Sequence, residues 1–308
     1  MLLFSEDQFR RMAKVDDVIS AIRTTFARDF SLTVRMPVRS SMELDGAVLL
    51  LMPCYDTELQ AAGVKIVSVS KNAGVHAVYE LLDPSTGIPV ARMEANYLTD
   101  LRTAATSAVA TDLLARKDAR TLSVFGSGRQ AIAHLTVLSR VRQFRQFLVC
   151  GSVRSDLKEF CGKMKSDHGI DVQPADAETC VREADVICTC TTSPTPLFDG
   201  RWLHPGTHLN LVGAFQPVTR EVDDEAVKRA VVVVDTYEGA LAEAGDLLIP
   251  ISKGVINRQH VRADLHEIAS GKKRGRTHAD DITLFKSVGC AIEDLITAQL
   301  VYKRAEFD

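Results

Sequence analysis

The segment VFGSGRQA at 124–131 sets small residues where an apolar run turns into a helical pattern. Gly126 closes the run, and Gly128 lets a ligand approach the backbone. Ala131 stands where a third glycine is usual, at the contact between helix and sheet. The backbone of Ser127, Gly128, Arg129 and Gln130 is then placed to hold a pyrophosphate, with the helix dipole favouring its negative charge. A second apolar run follows at the distance of a βαβ unit, a context that a chance GxGxxA lacks. That run ends as LVCGSVRSD at 148–156. The acid that binds the ribose hydroxyls in NAD sites is missing from its end, whereas Ser152, Arg154 and Ser155 suit a 2′-phosphate. The expected cofactor is NADP(H), with NAD(H) as the alternative.

Lys65 interrupts the apolar run GVKIVSV at 63–69. A strand can point it inward, where burial lowers its pKa and fits it to donate a proton or to stabilise charge. Two other arrangements are set aside. His204 and His208 have the i,i+4 spacing of a helical metal pair, but Pro205 and Gly206 break the helix that such a pair needs. No metal site is expected. The seven cysteines form no CxxC pair and no zinc pattern. Cys188 and Cys190, two apart on a strand-like run, are read as small core residues facing one way, and reduced cysteines suit a cytosolic protein.

The scaffold for these residues changes its period along the chain. Residues 1–30 read as helical, with an apolar stripe through Phe9, Met12, Ala13, Val15, Val18, Ile19, Ile22 and Phe26. Strand-like runs separated by the turn sequences LDG, NAG and DPSTG continue to residue 95. A long helix, NYLTDLRTAATSAVATDLLARK, has a small face of Ala104, Ala105, Ala108 and Ala110. From residue 120 strands and helices alternate, which implies a parallel sheet covered on both faces. The stretch TLFKSVGCAIEDLITAQLVYKRAEF reads as one final helix that packs back on the first domain. The expected fold class is α/β: a Rossmann dinucleotide-binding domain at 119–282, plus a second α/β substrate-binding and dimerisation domain at 1–118 and 283–308.

A net charge of -3 on 308 residues gives no electrostatic case for nucleic acid or an anionic membrane. The basic run GKKRGR at 271–276 is read as a solvated loop. No apolar stretch approaches spanning length, and MLLFSEDQFRRM carries acids too early for a signal peptide. The expected setting is cytoplasmic.

Several stretches together resemble one family, the ornithine cyclodeaminases and mu-crystallins. They are MPVRSSM, GVKIVSV, DPSTGIPVARMEANYLTDLRTAATSAVATDLLA, GSGRQA, VGAFQPVTREVDDE, VVVDTYEGALAEAGDL and LFKSVGCAIEDLITA. They run in family order over nearly the whole chain, and LTDLRTAA and LFKSVGCAIED are specific to the family. The resemblance implies a homodimer whose N-terminal domain, completed by the last helix, binds substrate, while the Rossmann domain carries the cofactor. It puts Arg39, Lys65 and Arg102 on substrate-contacting positions, where two arginines can clamp an α-carboxylate through paired hydrogen bonds. It also implies substrate contact at His76 and Phe215. Cofactor contact is implied at Arg102, Thr103, Thr191 and Gly213, and at Ser287 near the nicotinamide. On sequence alone Ser287 is a helix-start residue.

In the family's namesake enzymes an Asp follows the VGG or VGA turn and handles the amine and its proton. Here that position is Phe215, which can neither accept a proton nor pair with a δ-ammonium group. The favoured reading is NAD(P)H-dependent reduction of a preformed cyclic 2-imino carboxylate, Δ1-pyrroline-2-carboxylate or Δ1-piperideine-2-carboxylate, with a place in proline metabolism. The alternatives are an alanine or N-alkyl amino-acid dehydrogenase, a cyclodeaminase that recruits Glu221 or Asp223, and a crystallin-like protein that binds NADPH or a small ligand without turnover.

Overall fold

Hydrophobic alternation and turn chemistry build the first half of the chain, and continuous apolar runs build the second. The computed structural model describes residues 1–70, 72, 74–152 and 154–305, without the side chains of 154–156. The chain opens with β1 (Leu2–Phe4), α1 (Glu6–Met12), α2 (Val15–Ala27), β2 (Val34–Arg35) and β3 (Ser40–Glu43). Next come β4 (Ala47–Asp56), β5 (Ala61–Ser70), β6 (Gly74–Leu82), β7 (Pro89–Glu94) and α3 (Asn96–Leu114). The alternating part holds β8 (Thr121–Phe125), α4 (Arg129–Leu138), β9 (Gln146–Cys150), α5 (Arg154–His168), β10 (Val172–Pro174), α6 (Ala177–Arg182) and β11 (Val186–Thr189). It continues through β12 (His208–Leu211), α7 (Asp224–Arg229), β13 (Ala230–Val234), α8 (Tyr237–Glu243) and α9 (Gly245–Ser252). The chain closes with β14 (Val261–Asp264), α10 (Leu265–Ala269), β15 (Ile282–Lys286) and α11 (Ala291–Ala305).

Two compact units result, Met1–Thr106 with Gly289–Asp308, and Ser107–Val288. The crossings fall inside α3 and just after β15, whereas the sequence reading set them at 118/119 and 282/283.

In the first unit the sheet runs β1-β7-β6-β5-β4-β2, with β3 also paired to β4. The strands β4 to β7 form an antiparallel meander. Cross-strand partners share a face, so Met52, Lys65, Tyr79 and Met93 make one buried row across it. Helix α11 covers that face of β4, β5 and β6. The opposite face carries Leu49, Leu51, Pro53, Val64, Ile66 and Val78, all partly or fully exposed. The N-terminal stretch is not one helix. Ser5 and Gln8 form a capping box that starts α1 after a short strand, and extended backbone at Ala13 and Lys14 separates α1 from α2.

The second unit is a parallel sheet in the order β10-β9-β8-β11-β12-β15-β13-β14. Its strands β8, β11, β12 and β15 are buried at every residue, as a sheet covered on both faces requires. From β8 the chain first builds outward through β9 and β10, then returns to the other side with β11. The carboxyl ends at that reversal are where open α/β sheets bind ligands.

Three sequence expectations change here. The run ITLFK is strand β15, inserted between β12 and β13, and the final helix begins only at Ala291. A short run that is apolar throughout does not distinguish a buried strand from a buried helix by period. Ser287 therefore follows a strand rather than starting a helix. Cys190 lies beyond the end of β11 and is only partly buried, unlike Cys188. The basic run at 271–276 is solvated only in part. Arg276 donates to the carbonyls of Leu114 and Gly206 at 2.6 and 3.1 Å and to the Thr283 hydroxyl at 3.0 Å. Gly275 beside it has no room for a Cβ, which would stand 2.1 Å from Leu114 Cδ2.

Candidate active site

The first unit gathers cations under α11. Lys65 is 1% exposed on the buried face of β5, and its Nζ donates to Asp294 Oδ1 at 2.8 Å. Arg102, on the first half of α3, donates from Nη1 to Glu293 Oε2 at 2.6 Å. Its Nε lies 3.0 Å from Asp294 Oδ1, an ion-pair distance without hydrogen-bond alignment. Arg39, in the connection from β2 to β3, donates from Nη2 to the carbonyl of Gly289 at 2.9 Å. Gly289 has φ +81, and a Cβ there would stand 2.4 Å from Arg102 Nη1. The glycine thus lets one backbone position touch both arginines.

Arg39, Lys65 and Arg102 thus stand in one group with Glu293 and Asp294, and guanidinium forks such as those of Arg39 and Arg102 suit a carboxylate ligand. Burial and the neighbouring Arg102 lower the Lys65 ammonium from 10.5 to about 8, with Asp294 opposing the shift. A lysine poised there can give up a proton near neutral pH. Burial works against the charge of Arg102, but Asp294 and Glu293 outweigh it and leave its pKa raised. Asp294 Oδ2 is buried without a hydrogen bond among the described residues, which leaves acceptor capacity next to Lys65.

His76 does not join this cluster. It pairs with Ser68, so it lies on the face of the sheet opposite Lys65, and it is exposed. Thr103 belongs to the first unit, and its hydroxyl bonds back to the carbonyl of Thr99 at 2.7 Å.

The second unit carries the glycine turn. Gly126 has φ +110, and a Cβ on it would meet the Cys190 carbonyl at 2.5 Å, so the turn closely approaches the end of β11. Gly128 is the N-cap of α4 and has no capping side chain; nothing lies within 4 Å of where its Cβ would be. The open cradle and the uncapped helix start fit a pyrophosphate. Ser127, Gly128 and Arg129 are exposed there, Gln130 is partly buried, and Ala131 is fully buried against the sheet. At the end of β9, Ser152 is exposed, whereas the side chains of Arg154 and Ser155 lie outside the described residues.

Beyond β11 and β12, two of the expected contacts, Thr191 and Gly213, meet at Glu221. Thr191 gives its amide and its hydroxyl to Glu221 Oε1, each at 2.8 Å. Gly213 gives its amide to Glu221 Oε2 at 2.7 Å, and a Cβ on it would stand 2.1 Å from the Thr191 carbonyl. Phe215 is partly buried against the core of this unit. Ser287 is 1% exposed, with its hydroxyl 3.2 Å from Asp235 Oδ2. Glu221 and Asp223, the acids that a cyclodeaminase would need to recruit, are both committed to backbone donors. Asp223 caps α7 through the amide of Ala226 and also accepts from Gly200. His204 bonds to the carbonyls of Pro205 and Ala184, and His208 to Thr283 and Asn210.

Sequence reasoning missed Glu293, Asp294 and Gly289. Two acids in the first turn of a helix read as dipole partners, and a glycine within a supposed helix gives no hint of an arginine behind it. It also missed Lys286 and Asp246, an ion pair of 2.8 Å with neither side chain exposed.

The family model described as "Ornithine cyclodeaminase/mu-crystallin family" matches residues 3–307. A Δ1-pyrroline-2-carboxylate reductase of Bacillus cereus is 35% identical over 318 residues, covering 99% of this chain and 97% of that protein. The mouse ketimine reductase mu-crystallin is 33% identical over 305 residues, covering 96% and 94%. Among solved structures, a Thermococcus litoralis Δ1-pyrroline-2-carboxylate reductase in complex with NADH and L-proline superposes with a TM-score of 0.96. It is 37% identical and covers 100% of this chain and 98% of that one.

Proposed function

The chain belongs to the ornithine cyclodeaminase/mu-crystallin family, and on that premise we propose that it is an NAD(P)H-dependent reductase of cyclic 2-imino carboxylates. Δ1-Pyrroline-2-carboxylate and Δ1-piperideine-2-carboxylate are the substrates, and the products are the cyclic amino acids. The observation that carries this reading is the grouping of two guanidinium forks, Arg39 and Arg102, with the buried Lys65 beside Glu293 and Asp294, which suits a substrate that carries a carboxylate. The dinucleotide, when bound, supplies the hydride that reduces the C=N carbon. Arg39 and Arg102 hold the substrate carboxylate and so fix the orientation of the ring. Lys65 delivers the proton to the ring nitrogen or keeps it protonated, and Asp294 holds the lysine Nζ in place. Gly128 and the amides opening α4 receive the pyrophosphate.

Reduction is favoured over cyclodeamination because the position after the VGA turn is Phe215 and the nearby acids Glu221 and Asp223 hold backbone. An aromatic side chain there suits the apolar part of a ring that arrives closed. NADP(H) is the preferred form, since β9 ends without an acid and Ser152 and Arg154 follow it. The chain forms a homodimer, supported by the apolar outer face of the first sheet around Leu51, Ile66 and Val78. The setting is cytoplasmic.

The test is a spectrophotometric panel of NADPH and NADH against both cyclic imines, pyruvate with ammonia or methylamine, and ornithine with NAD+. Nucleotide oxidation with a cyclic imine is expected, without ammonia release from ornithine. Failure with both imines sinks the proposal, and tight nucleotide binding without any turnover would make the protein a binding module.

A further inference from the structure

Three fully buried charges in the second unit have no part in the chemistry above. Glu221, Asp246 and Lys286 are all 0% exposed. Isolated charges are costly to bury, yet this chain buries three together, at the carboxyl ends of β11, β12 and β15. We propose that Glu221, Asp246 and Lys286 form a positioning network that fixes the loops after β11 and β12 for the nicotinamide half of the dinucleotide. This rests on the reductase reading and adds three residues to its machinery.

The hydrogen bonds define the network. The Glu221 carboxylate collects five donors: the Thr189 hydroxyl, the amide and hydroxyl of Thr191, and the amides of Gly213 and Ala214, at 2.7 to 3.2 Å. They come from the last residue of β11 and from the loops that leave β11 and β12. Asp246, in the first turn of α9, accepts the amides of Glu221 and Val222 at 2.7 and 3.1 Å and so fixes the carboxylate from behind. Lys286, the last residue of β15, lies 2.8 Å from Asp246 Oδ2 and donates to the carbonyl of Ala214. The amide and the carbonyl of Ala214 are thus both held by the network, one residue before Phe215. Gly245 presses on the same loop, since a Cβ there would stand 2.0 Å from the Thr219 carbonyl.

Sheet order says which half of the cofactor this serves. The pyrophosphate turn follows β8, and the ribose-reading position follows β9 on one side of it. Strands β11, β12 and β15 lie on the other side, so a dinucleotide anchored at the turn extends its second nucleoside over their carboxyl ends. The five bonds to Glu221 are confined to that side. None of the five donors comes from the Gly126–Gly128 turn, although Thr191 Cγ2 lies 3.5 Å from where a Cβ on Gly126 would stand.

Two ligands separate the roles: the full reduced dinucleotide that the wild type binds, and its nicotinamide-free counterpart, ADP-ribose or 2′-phospho-ADP-ribose. Affinities would be measured by calorimetry for wild type, Glu221→Gln, Asp246→Asn and Lys286→Met. Each variant is expected to weaken the dinucleotide by at least about tenfold, the effect of a lost buried hydrogen bond. ADP-ribose affinity should stay within about twofold of wild type, because, among the described residues, the amides of the Gly126–Gly128 turn and of the start of α4 give no hydrogen bond to the three side chains. Retained ADP-ribose binding also shows that a variant is folded. Equal weakening of both ligands, loss of both in every variant, or no effect on either overturns the proposal. A wild type that binds neither ligand would instead count against the reductase reading itself.

Discussion

Replacing Asp294 with Asn removes the carboxylate that Lys65 and Arg102 share while keeping its shape. At 2.8 Å and an effective dielectric near 20, the Lys65–Asp294 attraction is about 6 kcal/mol. Neighbouring dipoles and Glu293 replace part of it. If only about 2 kcal/mol is lost, the Lys65 pKa falls by about 1.5 units, from about 8 to about 6.5. The sign follows from the charge: a carboxylate stabilises the ammonium, so removing it favours the neutral amine. In the proposed reduction Lys65 gives its proton below its pKa, so activity is expected to fall as pH rises through that value. The assay is kcat/KM for Δ1-pyrroline-2-carboxylate from pH 5.5 to 9, expressed as the variant-to-wild-type ratio. The substrate's own titration cancels in this ratio. It should be nearest to one at the acid end, decline above about pH 6.5 and level off above about pH 8. A ratio constant across the range would show that Asp294 does not set the proton affinity of Lys65, and a ratio rising with pH would refute the electrostatic argument outright.

Gly289→Ala forces a Cβ to within 2.4 Å of Arg102 Nη1 at φ +81; we expect KM for the imine to rise about tenfold or more, with about 1–2 kcal/mol of stability lost to the backbone strain. An unchanged KM would mean that Arg102 does not hold the carboxylate. Arg102→Lys keeps the charge but not the fork, so steady-state kinetics should show KM rising more than kcat falls. Arg154→Ala is expected to raise KM for NADPH while leaving KM for NADH unchanged, and an equal effect on both would remove the 2′-phosphate assignment. Phe215→Asp is expected to gain ammonia release from ornithine with NAD+, and a variant that gains none would remove the role proposed for this position. Ile66→Glu on the outer face of the first sheet should convert a dimer to a monomer in light scattering after size exclusion, and an unchanged mass would place the interface elsewhere.

The strand–helix alternation after residue 120, the glycine turn after β8 and the inward aim of Lys65 were legible in the sequence, because each rests on a local period or on a residue type that tolerates one backbone shape. Phe215 was legible as well, as the residue at the motif position where the resemblance puts an acid in the family's namesake enzymes. The partners of those residues were not. Lys65 meets Asp294 across 229 positions, and Arg102 meets Glu293 across 191, distances at which no periodicity carries information. Glu293 and Asp294 look like ordinary acids at a helix start until β5 presents Lys65 and α3 presents Arg102 to them. Strand β15 was hidden for a related reason: ITLFK is buried on all sides, so its pattern fits a helix as well as a strand, and only its place between β12 and β13 decides the matter. Local chemistry determined which groups this protein carries. The tertiary fold decided which charges face one another, and therefore which lysine can part with a proton near neutral pH.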